Sequence, residues 1–277
     1  MTEHKKNKCC ICGPVKNCGP YLEKVLKNIQ QLGSLFEDYR IILFYDKSSD
    51  NSLQILKEAQ AKNPRLSFFV NKAPLSKFRT HNIAFARNFC LKQIKEKYAD
   101  FPYFVMMDFD NVNAKTVHPE ILRKYLNLDT WDALSFQTYP SYYDIWGLSI
   151  YPYCFSYNHF KNNVQQYDII QKFVETKLKK LNKDKLELLP CFSAFNGFSI
   201  YRSSLFLDSS YDGKIRMDLL PKEAILTHSF VTRSPIIYKK YETVDGRYED
   251  CEHRAFHMES VFQKGAKIRI SPEILFS

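Results

Sequence analysis

Through the first hundred residues, short apolar runs alternate with stretches in which apolar residues recur every three or four positions. Residues 8–12 predict a strand that stops at Gly13-Pro14, and Leu22, Val25, Leu26, Ile29 and Leu32 then share one face of a helix over 21–36. Residues 40–45 predict a second strand. The polar turn from Asp46 to Ser52 follows, its last residues suited to cap a helix over 53–62. A third strand over 66–70 leads, past Pro74 and Arg79, into a helix over 81–97. Residues 103–107 are wholly apolar, as a strand covered on both faces must be. Strand and helix in alternation predict an α/β fold with a mostly parallel sheet.

Beyond residue 130 the periodicity loosens. Residues 132–138, 198–201 and 267–270 read as strands, and residues 164–181 and 253–263 as helices. Residues 139–157 are dense in aromatics, and residues 203–247 predict loops with short strands. No repeat or flexible linker interrupts the 277 residues. We therefore expect one compact domain over 1–277, with a donor-binding half over about 1–135 and an acceptor-binding half over about 136–277.

Composition narrows the function classes. Apolar residues at 45% and charged residues at 25% are ordinary for a globular chain. The longest apolar runs are too short to cross a bilayer, and the lysine-rich start followed by Gly13, Pro14 and Lys16 does not read as a signal peptide. A cytoplasmic protein with reduced thiols is expected, because eight cysteines in so long a chain do not make a secreted disulfide scaffold. Cys9-x-x-Cys12 could begin a zinc site, but no second pair follows at suitable spacing. The net charge of +10 suits a polyanionic partner. Much of it lies in the lysines of 172–185, interspersed with acids as on a solvated helix face, and no nucleic-acid-binding module accompanies them.

The chemistry-bearing residues fall into clusters. Asp108-Phe-Asp110 directly follows the apolar fourth strand, and ligands bind beyond the carboxyl ends of such strands. Two carboxylates one residue apart suit Mn²⁺ or Mg²⁺, which can bridge to phosphate oxygens and stabilise a leaving diphosphate. Glu249, Asp250 and Glu252 crowd a loop-to-helix junction where one could serve as general base. His253 and His257 share a helix face and could complete a metal shell; the alternative is an N-capped helix with a buried histidine. Arg79, Arg87 and Asn88 flank the third helix, where guanidinium forks match phosphate geometry. Asp46 could accept hydrogen bonds from a nucleobase or ribose. Tyr142, Tyr143, Asp144 and Trp146 resemble a carbohydrate platform, although most such tyrosines belong to cores.

The order of these pieces carries a resemblance. Cys12-Gly-Pro-Val-Lys-Asn-Cys18, Tyr45-Asp-Lys-Ser-Ser-Asp-Asn-Ser52, Ile83-Ala-Phe-Ala-Arg87-Asn88 and Met107-Asp-Phe-Asp-Asn-Val112 come first. Tyr143-Asp-Ile-Trp146, Ser193-Ala-Phe-Asn-Gly197 and Asp250-Cys-Glu-His253 with His257 follow. Together they resemble a glycosyltransferase family found in large DNA viruses and some bacteria, distantly similar to CAP59-like mannosyltransferases. The resemblance implies a GT-A fold, a UDP- or GDP-linked sugar donor, and a glycan or glycoprotein acceptor. It also implies a metal held by Asp108 and Asp110, to which the helix-face reading adds His257 as a candidate further ligand. Lys16, Asp46, Arg79, Arg87, Asn88 and Asp108 fall on the donor side. Asp144, Trp146, Asn196, Gly197 and His253 fall on the acceptor side, with Asp250 or Glu252 as base. Lys16 stands where the family more often has arginine, which keeps the charge and loses the bidentate reach.

Two other classes compete. Asp108-x-Asp110 also fits a haloacid-dehalogenase-like phosphatase, yet those enzymes place the nucleophile after their first strand and three strands precede it here. A non-catalytic glycan- or nucleic-acid-binding protein is the third reading.

Overall fold

The structure is a computed structural model that describes residues 7–154, 163–214, 216–233 and 249–277. Strands β1 (Lys8–Val15), β2 (Asp38–Tyr45), β3 (Leu66–Val70) and β4 (Tyr103–Met107) form a parallel half-sheet. Helices α1 (Gly19–Gly33), α2 (Ser52–Lys62) and α3 (Arg79–Lys97) connect them. The chain then adds α4 (Pro119–Tyr125), β5 (Ala133–Gln137), α5 (Asn163–Lys179), β6 (Leu189–Cys191) and β7 (Phe198–Arg202). It ends with α6 (Ser203–Phe206), α7 (Lys222–Thr232), α8 (Glu252–Lys264) and β8 (Ile268–Ile274). All eight strands belong to one sheet ordered β3-β2-β1-β4-β7-β5-β8-β6, so the two expected halves share a single scaffold. The antiparallel β7 joins them, pairing with β4 on one side and β5 on the other.

The sheet is buried on both faces, which explains the uninterrupted apolar strands. In β1, Cys9 and Ile11 meet α1 and α4 on one side, while Cys10 and Cys12 meet α3 on the other. The same alternation sends Tyr103, Val105 and Met107 of β4 to the first face and Phe104 and Met106 to the second. Among the described side chains of α5, Ile170, Val174 and Leu178 are fully buried, one turn apart, and its lysines line the outer face as expected.

Three expectations change. The strand predicted to stop at Gly13-Pro14 continues to Val15. Pairing with β4 ends at Cys12↔Met106, so Pro14 lies where β1 has a registered partner on one side only and a missing N–H is tolerated. Within 203–247, the described residues form α6, a 3-10 turn at Met217–Leu219 and α7 in place of short strands. The apolar residues of α7 lie all around it, with Leu226 and Phe230 outward, so no stripe betrays the helix. Helix α4 escaped notice despite its opening Pro119, because a seven-residue helix offers barely two turns of periodicity. The last aromatics of the expected 139–157 stretch lie outside the described residues.

The close approach of β1 to the end of β4 depends on Gly13. A Cβ there would sit 2.1 Å from the Met107 carbonyl oxygen and 2.9 Å from the Phe109 ring. Gly13→Ala is expected to lower stability by about 1–3 kcal/mol, as overpacking does. Thermal unfolding followed by circular dichroism should show a fall of several degrees; an unchanged midpoint would contradict this packing.

Candidate active site

Asp108, Phe109 and Asp110 leave the end of β4 and turn back along the sheet edge. Two asparagines fix that turn. Asn113 donates to the Asp108 carbonyl at 2.8 Å and the Gly197 carbonyl at 2.6 Å, and Asn28 of α1 donates to the carbonyls of Asn113 and Lys115. The Asp108 N–H donates to Gly197 as well, at 2.9 Å. Asn196 and Gly197 both adopt left-handed backbone, with φ of 57° and 84°, which aims the Gly197 carbonyl into this junction. Phe109 points inward and is buried, so its two acidic neighbours face outward.

They face a cleft of about 350 Å³ that also receives Lys16, Arg79, Arg87, Asp144, Trp146, Glu252 and His253. A second hollow of equal volume lies between α1 and α2, over Ile41 and Leu66, and is floored by aliphatic side chains. The concentration of buried charge marks the first as the candidate active site.

Arg87 sits at its centre. One guanidinium nitrogen donates to Asp108 Oδ1 at 2.8 Å and the other lies 3.0 Å from Glu252 Oε1. The side chain is 3% exposed and lies 4.5 Å above the Phe195 ring. Phe195 in turn stacks on His253 at 3.7 Å, making a column of cation, ring and imidazole. Burial pushes the Asp108 carboxyl up to about 7, and Asp110, Glu252 and Asp144 push the same way against the pull of Arg87. Burial also raises Glu252, opposed by Arg87 and Arg79. His253 is held well below the usual imidazole range by burial, Arg87 and His257, and is neutral.

Nine of the expected site residues thus meet in the cleft, and six do not. Asp46 stands behind Lys16, accepting from its ammonium at 3.0 Å and from Asn71 at 3.1 Å. Asn88 exchanges hydrogen bonds with the Tyr211 backbone and pins that loop onto α3. Asn196 binds the Tyr143 and Asp144 N–H groups, and it and Gly197 shape the walls from outside. Asp250, a candidate base, is buried and clamped by Arg254, whose Nε donates to both its oxygens at 3.0 and 2.9 Å. His257, a candidate metal ligand, faces the core. Its ring nitrogens lie 2.9 Å from the hydroxyls of Ser193 and Tyr201, so it does not reach Asp108 or Asp110. The placement of α8 decides both cases: Glu252 and His253 at its start line the cleft, Arg254 turns away to Asp250, and His257, one turn beyond His253, lies in the core.

The first and second loops are cross-tied. Asn17 donates its N–H to Ser48 Oγ and accepts from the Ser49 N–H, while the Cys18 N–H donates to Ser52 Oγ. The Asp50 carboxylate accepts from the Gly19 N–H at 2.8 Å and the Ser52 N–H at 3.0 Å, capping the starts of α1 and α2 together. Glu249 similarly accepts from the Thr80 N–H at the start of α3. Of the supports that the sequence reading missed, Asn28 leaves a trace, as a polar residue on an otherwise apolar helix stripe.

Asp108 and Asp110 offer hard carboxylate oxygens. Asp108 is 27% exposed, with Oδ1 on Arg87, and Asp110 accepts only a local bond from the Val112 N–H. Among the described residues, no three His, Cys, Asp or Glu side chains converge as a complete metal shell. Two carboxylates with positions left for water and phosphate fit Mg²⁺ or Mn²⁺, which favour such mixed shells.

A family model for glycosyl transferase family 2 matches residues 10–207, and the chain belongs to that family. No curated protein matches it. Among solved structures it is similar to S. aureus TarS, at 13% identity and a TM-score of 0.50, over 98% of this chain and 36% of that one. The 1-349 fragment of TarS, also solved with UDP-GlcNAc, aligns at 12% identity and TM-score 0.48, over 98% of this chain and 59% of the fragment. The mannosyltransferase PcManGT from Pyrobaculum calidifontis, in complex with GDP-Man and Mn²⁺, aligns at 14% identity and TM-score 0.42, over 76% and 48%. The chain therefore spans less than two thirds of each of these proteins, and the likeness is one of fold. No helix among the described residues is long and apolar enough to cross a membrane.

The neutral, buried His257 has a thermodynamic signature. Burial, Arg87 and Arg254 lower it to about 3, whereas in the unfolded chain it protonates near 6.5. The unfolded state then binds the extra proton below pH 6.5, so the stability this group contributes is present above that pH and lost as pH falls toward 3. Urea titrations should show the advantage of wild type over His257→Gln shrinking in that window, by up to about 1.4 kcal/mol per pH unit. A pH-independent difference would mean that His257 is charged in the native state.

Proposed function

We propose that this chain transfers a sugar from a nucleoside diphosphate donor, UDP- or GDP-linked, to a hydroxyl of a glycan or glycoprotein acceptor. The observation that carries the reading is the buried guanidinium of Arg87, which holds a strand-end carboxylate, Asp108, and a helix-start carboxylate, Glu252, in one cleft. Asp108 and Asp110 would hold Mn²⁺ or Mg²⁺, which supplies positive charge to the departing diphosphate. Lys16 and Arg79 are the cleft cations left to meet phosphate oxygens, since Arg87 is engaged on both forks. Residues up to about 135 supply the donor side, and residues from about 136 supply the acceptor side, with Asp144, Trp146 and His253 in its wall.

Glu252 is the base in this reading, and Asp250 is not. Both oxygens of Asp250 are bound by Arg254, whereas Glu252 lines the cleft with its basicity raised by burial. An acceptor hydroxyl gives its proton to Glu252 as its oxygen bonds to the anomeric carbon and the bond from that carbon to the diphosphate oxygen breaks. Neutral His253, whose Nε2 lies 3.8 Å from Glu252 Oε1, adds no charge that would suppress the base. The family membership sets aside the phosphatase reading. The eight free thiols support a reducing, cytoplasmic site of action, the host cytoplasm if the chain is viral as its resemblance implies.

Thermal-shift measurements across nucleotide sugars, with and without Mn²⁺, test the proposal. One donor should raise the midpoint only with the metal, because a ligand that binds only the native state stabilises it by mass action. Asp110→Asn should abolish that shift. Glu252→Gln should keep it while lowering turnover by about 10²- to 10⁴-fold, the usual contribution of a general base. Metal-independent donor binding in both wild type and Asp110→Asn would overturn the metal assignment, and full turnover by Glu252→Gln the base assignment.

A further inference from the structure

The Asp250–Arg254 pair is buried, takes no part in the chemistry above, and ends on the cleft wall. Besides the two bonds to Asp250, Arg254 donates through Nη1 to the Leu148 carbonyl at 3.0 Å and to Ser149 Oγ, and through Nη2 to the Trp146 carbonyl. One guanidinium from α8 thus grips three points of the segment that carries Trp146. The other end of that segment is held from the sheet side. Asp144 accepts from the Gly147 N–H at 2.9 Å and the Asn196 N–H at 3.2 Å, while Asn196 donates to the Phe136 carbonyl at 2.9 Å. The turn from Tyr143 to Ser149 is therefore fixed at both ends, and it presents Tyr143 and Trp146 to the cleft that Glu252 enters.

This wall offers a ligand little charge. Both Asp144 oxygens already accept backbone N–H groups, Arg254 is 3% exposed with its charge met by Asp250, and His253 is neutral. What remains to contact are aromatic rings, Tyr143 being 38% exposed and Trp146 partly so. Exposed rings on a turn whose own charges are already paired suit the C–H face of a pyranose, while the Lys16 and Arg79 cations of the cleft serve the donor in the reading above.

We propose that the Tyr143–Trp146 turn is a subsite for an uncharged pyranose ring of the acceptor, and that Arg254, balanced by Asp250, is the positioning residue that sets this wall against Glu252. The proposal rests on the sugar-transfer reading for the word acceptor, but the ring subsite has its own readout. The chain has two tryptophans, and Trp131 is fully buried in the core, so a ligand-induced change in indole emission reports Trp146.

Titrating methyl pyranosides into wild type should change indole emission, and 3-phosphoglycerate, an anionic hydroxyl acceptor, should not. The change should vanish in Trp146→Phe. In turnover assays Trp146→Phe should keep the acceptor KM within about threefold, whereas Trp146→Ala and Arg254→Met should each raise it about tenfold or more with donor shifts unchanged. Arg254→Lys should behave like Arg254→Met, because an ammonium lacks the fork needed for three oxygens. Should Arg254→Met fail to fold around the orphaned Asp250, the double variant Asp250→Asn with Arg254→Met removes the buried charge and should show the same KM defect. A lowered midpoint with unaltered acceptor KM in either variant would reduce the pair to a fold stabiliser. Preference for the phosphorylated compound over the pyranosides would overturn the ligand class. Silence toward every nucleotide sugar, with the pyranoside emission change intact, would instead sink the transfer reading and leave the subsite standing.

Discussion

A buried guanidinium cannot shed its proton, so Arg87 must be met by carboxylates wherever the fold puts it. Here it is met by two from distant parts of the chain, Asp108 after β4 and Glu252 at the start of α8. That sharing draws a segment 140 residues downstream against the central strands and gives the cleft its floor. It also favours the ionised form of both acids against the cost of burial, since each is drawn down by the same cation. The Phe195 and His253 rings stacked beneath extend the same contact and keep water from the guanidinium face.

Around this centre the supports are mainly uncharged. Asparagines at 28, 113 and 196 satisfy the backbone groups left over where strands end, and left-handed turns at Asn196 and Gly197 aim a carbonyl at the junction. Such groups cost little when paired and much when left bare, so they hold the loops in single arrangements without adding charge to the cleft. The division between charged centre and neutral frame lets the cleft collect its charged and aromatic side chains without further charge in the loops that hold them.

The parallel half of the sheet was legible because its strands are apolar on both faces and its helices carry clean stripes. The reading failed where those signals are short or absent: seven-residue α4, α7 with apolar residues on every side, and the continuation of β1 through Pro14. In the site, Asp108-x-Asp110 could be found from its position after a strand. Neighbouring acids at Asp250 and Glu252 could not be separated, because a helix start that is one residue ambiguous rotates every side chain by about 100°. His257 shares the face of His253 but lies one turn further along the helix, where the hydroxyls of Ser193 and Tyr201 meet it in place of the expected ligand shell. Arg254 carried no motif at all. Its role emerges only when the carbonyls of Trp146 and Leu148, more than a hundred residues away, are brought beside it.

The Asp50 carboxylate that caps α1 and α2 at once has a consequence for redesign. Because one side chain closes the starts of both helices, and Asn17 with Ser48 and Ser49 laces the adjoining loops, the two loops form one mechanical piece. An engineer grafting this corner of the fold from a relative would have to transplant both loops as a module. Replacing the stretch around Lys16 alone would strand the Asp50 cap and unravel the neighbour it was meant to leave untouched.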